Sequence, residues 1–169
     1  MIYYGIFSSI QTYAAQIWGQ IQSKHVNRII KLQDRAIRII NFAKYCDSRN
    51  PLCHKSNILN FNDNLNLQNF LLVYDSLKGN LPSALNKTFT FVRDMHEHNT
   101  RSSVLNQVTL PKVKTQIYGL KSVIYQAGSF WNSIMKIYTQ TNFLKKTKYF
   151  CKKVITKHLL ENYNIIPTY

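Results

Sequence analysis

Acidic residues are scarce: the 169-residue chain carries seven, against 22 Lys and Arg, for a formal net charge of +15. Of Asp34, Asp47, Asp63, Asp75, Asp94, Glu97 and Glu161, only Asp94 and Glu97 lie close together in sequence. Two-metal and glycosidase-type chemistry draws on converging carboxylates, so this scarcity tells against such an enzyme. Cysteine is scarce too. Cys46, Cys53 and Cys151 make an odd count with no CxxC pair, which reads as reduced thiols in an intracellular chain, cytoplasmic or nuclear. Cys53-His54 and His96-Glu97-His98 match no finger, knuckle or ribbon spacing, so neither a metal nor any other cofactor is expected. The apolar first twenty residues lack a basic n-region, and Ser8, Ser9, Gln11, Thr12, Gln16 and Gln20 interrupt them. Neither a signal peptide nor a transmembrane span of about 20 residues is therefore expected. There is no internal repeat and no low-complexity run.

What is present suits a folded chain with an anionic partner. An apolar share of 45% and an aromatic share of 13% argue against disorder. A compact chain of this length, one domain or two small ones, buries roughly 68–70% of its unfolded surface and needs no disulfide staple. The basic excess points to nucleic acid first and an anionic membrane surface second. It is concentrated: residues 24–55 hold eight basic and two acidic side chains, and residues 101–169 hold eleven and one.

Periodicity predicts a mainly α fold. Tyr3, Ile6, Phe7, Ile10, Tyr13, Ala14, Ile17, Trp18 and Ile21 recur at helical spacing and predict a core helix over 2–21. Val26, Ile29, Ile30, Ala36, Ile37, Ile40 and Ala43 predict a second over about 25–43. On it Lys24, Arg28, Lys31, Arg35 and Arg38 step by four, three, four and three, a stripe roughly 80° wide opposite the apolar face. Residues 44–61 read as a loop around Asp47-Ser48-Arg49-Asn50-Pro51. A third helix follows over 62–78, with Asn62 or Asp63 as its N-cap, Leu67, Phe70, Leu71, Tyr74 and Leu77 buried, and Gly79 at its end. Leu81-Pro82-Ser83-Ala84-Leu85 predicts one short helical turn. Between Phe89 and Ile137 the stretches Thr88–Val92 and Ser122–Tyr125 alternate and predict short strands. A last helix over 142–162 carries Phe143, Thr147, Phe150, Cys151, Val154, Ile155 and His158 on one face and six lysines on the other. Trp18, Trp131, Tyr118 and Tyr125 read as core.

Several short motifs, in order, resemble one family. Tyr13-Ala14-Ala15-Gln16-Ile17-Trp18-Gly19 and Leu32-Gln33-Asp34-Arg35-Ala36-Ile37-Arg38-Ile39-Ile40 are similar to the segment after the polymerase palm in reverse transcriptases of Jockey-like non-LTR retrotransposons. His98-Asn99-Thr100-Arg101-Ser102, Leu110-Pro111, Tyr125-Gln126-Ala127-Gly128, Trp131-Asn132 and Phe143-Leu144-Lys145-Lys146 resemble its C-terminal signature. The match spans most of residues 1–161. Ser133-Ile134-Met135-Lys136 departs from it, where the family commonly has a leucine-proline turn.

The resemblance implies a thumb-like helical bundle over 1–90 and a post-thumb region over 91–169, a small mixed part with short strands and a C-terminal helix. It implies RNA, DNA or RNA–DNA hybrid as partner, beside the palm of a parent polymerase. No adjacent Asp-Asp pair of the palm's Tyr-x-Asp-Asp hairpin occurs, so the chain is not expected to polymerise. Met1 would then be internal to a parent, and the chain a fragment or a decayed copy. The expected contacts are phosphates, met by Lys24, Arg28, Lys31, Arg35 and Arg38, with Arg101, Lys112 and Lys114 as further candidates. Two alternatives stand beside this: a module binding an anionic membrane or a host protein through the lysine-rich last helix, and a remnant without present function.

Overall fold

Helical spacing of apolar side chains runs through most of the chain, and the architecture follows it. A computed structural model describes residues 3–19, 23–95, 98 and 100–164. These form α1 (Ser9–Thr12), α2 (Ala15–Trp18), α3 (Ser23–Ile40), α4 (Arg49–Ser56), α5 (Phe61–Lys78), α6 (Arg101–Val104), α7 (Val123–Ile137) and α8 (Lys148–Glu161). π-helical turns lie at Tyr3–Ser8 and Gln116–Leu120. The chain divides into two units, Met1–Leu67 with Lys152–Tyr169, and Gln68–Cys151.

In the first unit α3 turns Gln33 and Ile37 fully inward. Ile37 joins Cys53, Ile58, Leu160 and Tyr163 in a buried cluster, flanked by Tyr3, Leu52 and Leu59. The Gln33 amide donates to Tyr3 Oη and to the Leu59 carbonyl, both at 2.9 Å. Asn41 Nδ2 ties the end of α3 to α4 by donating to Ser56 Oγ at 2.6 Å. Residues 49–56, expected as loop, are helix α4. Pro51 sits in its first turn, where the missing N–H costs nothing. With only Cys53 of this helix buried, no apolar period marks it in the sequence.

The expected helix over 2–21 is broken. Tyr13 is extended and Ala14 left-handed, at φ 49°, which separates α1 from α2. Ile6, Ile10, Tyr13 and Ile17 lie exposed rather than in a core. A periodic apolar face states what a helix can bury, and the break and missing cover leave this one bare. Ile2, Gln20 and Ile21 lie outside the described residues. Trp18 is half-buried, stacked on Phe61 with ring centroids 5.5 Å apart. On α3, likewise, only Ile37 of the expected apolar face is fully buried, and Ile40 is exposed.

α5 starts at Phe61, and Asn60 rather than Asn62 or Asp63 caps it. Asn60 Oδ1 accepts from Asp63 N, and Asn60 Nδ2 donates to Asp63 Oδ2, each at 2.9 Å. Leu67, Phe70, Leu71 and Tyr74 are buried as expected, and Leu77 half-buried. Gly79 ends the helix at φ 73°, a left-handed conformation that a Cβ resists. Residues 83–87 form turns rather than helix.

The second unit is built on aromatics. Phe70 stacks on Trp131 at 4.7 Å, and Phe143 meets Phe70 edge-on at 5.4 Å. Trp131 is buried and donates to the Asn106 carbonyl at 3.1 Å. Tyr125 is half-buried, whereas the Tyr118 side chain lies outside the described residues. The expected strands are corrected. Among the described residues there is no strand, only an isolated antiparallel bridge between Phe91 and Val108. On the side of Val108 that faces away from the bridge, Asn132 takes the place of a further strand: its Oδ1 accepts from Val108 N at 2.8 Å and its Nδ2 donates to Val108 O at 2.9 Å.

Ser122–Tyr125 is a helix start, with Ser122 Oγ accepting from Tyr125 N. Gly128 in that helix lets Leu110 come within 2.7 Å of where a Cβ would stand. The last helix is shorter than 142–162. Phe143–Lys145 is a 3₁₀ turn, and Thr147 caps α8 through Phe150 N. Thr147 and Phe150 are exposed, and Leu159 and Leu160 join Cys151 and Ile155 in burial.

Candidate nucleic-acid interface

The basic row on α3 exists because that helix needs only one narrow face for its core. Gln33 and Ile37 take the buried side, and Lys24, Arg28, Lys31 and Arg35 stand exposed on the other. Arg38, at the end of the row, is half-buried. Its Nη2 donates to the Asp47 carbonyl at 3.4 Å, its guanidinium lies 5.6 Å from the Tyr45 ring centroid, and its buried Nε has no partner.

Arg28, Lys31, Arg35 and Arg38 line one open hollow of about 1200 Å³, together with Leu32, Asp34, Ile39, Phe42, Ala43 and Tyr45. Lys24 shares the face but not the hollow. The acid in this lining is already engaged: Asp34 accepts from Arg49 at 3.4 Å. Among the described residues, the hollow is thus a concentration of positive charge whose one lining carboxylate is already engaged, a surface suited to several phosphates at once.

Arg101, Lys112 and Lys114 belong to the second unit and do not line that hollow. Arg101 is exposed at the first position of α6, which Thr100 caps by accepting from Ser103 N. It lines a separate hollow with Lys136, Ser102, Leu105, Gln107 and Thr139. Lys112 and Lys114 are exposed beyond the bridge.

Phe42 and Tyr45 are two lining residues that the periodicity argument missed. They are 98% and 92% exposed. A signal was present, since Phe42 continues the four-residue step after Arg38 and lies off the apolar face.

Elsewhere Cys53, Cys151 and Tyr163 are buried titratable groups. Burial pushes the Cys53 thiol up to about 11, against a smaller lowering by Arg49. Burial, reinforced by its hydrogen bond to Asp63, raises the Tyr163 phenol, and burial raises the Cys151 thiol. Cys46 is an exposed thiol. Among the described residues no three of His, Cys, Asp or Glu gather as a metal ligand set, and His96, Glu97 and Asn99 lie outside those residues. No described helix is long and apolar enough to cross a membrane.

Of the motif residues, Leu32, Asp34, Arg35, Arg38 and Ile39 line the hollow, and several others make packing contacts. Trp18 and Gly19 face Phe61, Gly128 faces Leu110, and Trp131 and Asn132 clasp residues 106–108. No family model matches the chain, and neither does any curated protein or solved structure.

Proposed function

We infer that the chain is a non-catalytic nucleic-acid-holding part of an RNA-directed DNA polymerase of the non-LTR retrotransposon type, gripping template or primer phosphates through α3. The observation that carries this reading is the unneutralised row of Arg28, Lys31, Arg35 and Arg38 in one open hollow, its acid already paired. Cations a helical turn apart can meet successive phosphates without reading bases, which is what holding a moving strand requires. The order of short motifs supplies the polymerase context.

The membrane reading is weaker, because the apolar residues Cys151, Ile155, Leu159 and Leu160 of α8 are buried. A helix that spends its apolar face in a core has none to insert into lipid.

Binding to RNA, DNA or hybrid should depend steeply on salt and weakly on sequence. Five phosphate contacts give a slope of log K against log salt of roughly −3.5 to −4.5. Replacing Arg28, Lys31, Arg35 and Arg38 together by Gln should reduce its magnitude by about 3. A quadruple variant with an unchanged slope would refute α3 as the grip and move the contact to the lysines of α8.

A further inference from the structure

Phe42 and Tyr45 have no folding role that accounts for them. Phe42 follows α3 at φ 51°, the left-handed position where a helix ordinarily ends on glycine or asparagine. The turn is fixed by Ala43 N–H donating to the Arg38 carbonyl at 2.9 Å and Phe42 N–H to the Ile39 carbonyl at 3.2 Å. The ring is therefore carried on a defined backbone, and at 98% exposure it buries nothing. Tyr45 is 92% exposed, with the Arg38 guanidinium beside it. Both rings line the hollow that holds the cationic row.

We propose that Phe42 and Tyr45 are a stacking platform for unpaired bases, so that the α3 hollow takes single-stranded nucleic acid in preference to duplex. This rests on the phosphate-holding reading above and deepens it. Phosphates satisfy Arg28, Lys31 and Arg35, but cations alone do not distinguish a single strand from a duplex. Aromatic faces do: a base in a duplex is already covered on both sides, whereas an unpaired base gains a ring when it stacks on protein. The apolar faces suit bases of either sugar, since a ring stacks on the base and not on the ribose. A sequence-tolerant platform beside a row of cations is a recurring way to hold a single strand.

The test compares twelve-nucleotide oligo(dT) and oligo(U) with abasic strands of the same length and charge, and with a twelve-base-pair duplex, by fluorescence anisotropy. The parent protein should bind the base-bearing strands about tenfold tighter than the abasic ones, near the lower end of about 5- to 150-fold per stacked base. Phe42→Ala with Tyr45→Ala should bring that preference below twofold and leave the salt slope unchanged. Tyr45→Phe should keep it, because the ring and not the hydroxyl does the stacking.

Phe42→Gly separates this role from a structural one. Glycine fits the left-handed position better than phenylalanine, so the variant should melt at the parent's temperature or higher while its base preference falls. A parent that binds base-bearing and abasic strands equally, with a steep salt slope, overturns the platform and leaves the phosphate grip standing. A double alanine variant that retains the preference overturns it as well. Absence of binding to every strand at low salt removes both readings.

Discussion

Tyr163→Phe is the substitution by which the first unit's architecture is most directly tested. The Tyr163 ring is 6% exposed, and its hydroxyl joins two residues a hundred positions upstream in sequence. It donates to Asp63 Oδ2 at 2.5 Å and accepts from Asn60 N at 3.0 Å, so it closes over the cap of α5. Phenylalanine preserves the buried ring, which removes hydrophobic transfer from the comparison. The loss is one charge-assisted hydrogen bond, about 1.5–3 kcal/mol, and an N–H left without its acceptor. Asn60 is half-buried, so water reaches part of that N–H, and Asp63 retains Asn60 Nδ2 at 2.9 Å. A total of about 2–3 kcal/mol follows.

With an m value of about 2 kcal/mol/M, the urea midpoint should fall by about 1–1.5 M. Far-UV circular dichroism measures it. A cycle with Asp63→Asn should return a coupling of at least about 1 kcal/mol, well outside the ~0.3–0.5 kcal/mol scatter of independent sites. A midpoint shift under about 0.25 M, or plain additivity, would show that the hydroxyl does not tie the two ends together.

Two further outcomes follow from buried groups. Cys53 holds its proton to about 11 in the fold, whereas an unfolded thiol releases it near 8.5. The folded state therefore binds more protons between these values, so stability present below about pH 8.5 is lost as pH rises towards 11, by about 2–3 kcal/mol at the top. Urea midpoints at pH 8 and 10.5 should differ accordingly in the parent and less in Cys53→Ala, and equal shifts in both would assign the loss elsewhere. Asn132→Ala strips the partners from both backbone groups of Val108, itself 1% exposed. It should cost about 2–4 kcal/mol and speed amide exchange at Val108, and an unaltered exchange rate would contradict the clasp.

A helix with a wide buried face and conformational punctuation at its end is the easiest to read from sequence. α5 has both, in Leu67, Phe70, Leu71 and Tyr74 and in Gly79 with its positive φ. α4 has neither a stripe nor a glycine. Only Cys53 turns inward, so periodicity had nothing to report. α7 did carry a period, Ala127, Trp131, Ile134 and Met135, but β-branched Val123 and Ile124 mimicked a strand. The segment 3–18 failed differently. Its period is real, yet Ile6, Ile10 and Ile17 are exposed, because a pattern names a face without supplying what covers it. The cationic row of α3 was legible because charge obeys the same helical geometry as the core. Phe42 was only partly so, by continuing the four-residue step after Arg38, and Tyr45 was not, since nothing in the sequence gives an aromatic residue's exposure.

Net charge does not choose between the two basic helices, and they differ in how their charges are partnered. On α8, Lys148 is paired with Asp75 at 2.5 Å and Lys157 with Glu161 at 3.8 Å. Among the described residues no carboxylate pairs with Arg28, Lys31 or Arg35, and Asp34 is drawn towards Arg49. Like charges at i,i+3 and i,i+4 then repel, by ~0.2–0.5 kcal/mol for each neighbouring pair. On the proposed reading, phosphates would relieve this repulsion. Removing the three exposed charges should therefore move the two observables in opposite directions. The Arg28, Lys31, Arg35→Gln variant should unfold at a slightly higher urea concentration than the parent while its salt slope flattens, since glutamine is as good a helix former and these three side chains are exposed. A variant that lost stability along with binding would mean that these side chains support the fold through their stems, and that the row is not held in tension for a ligand.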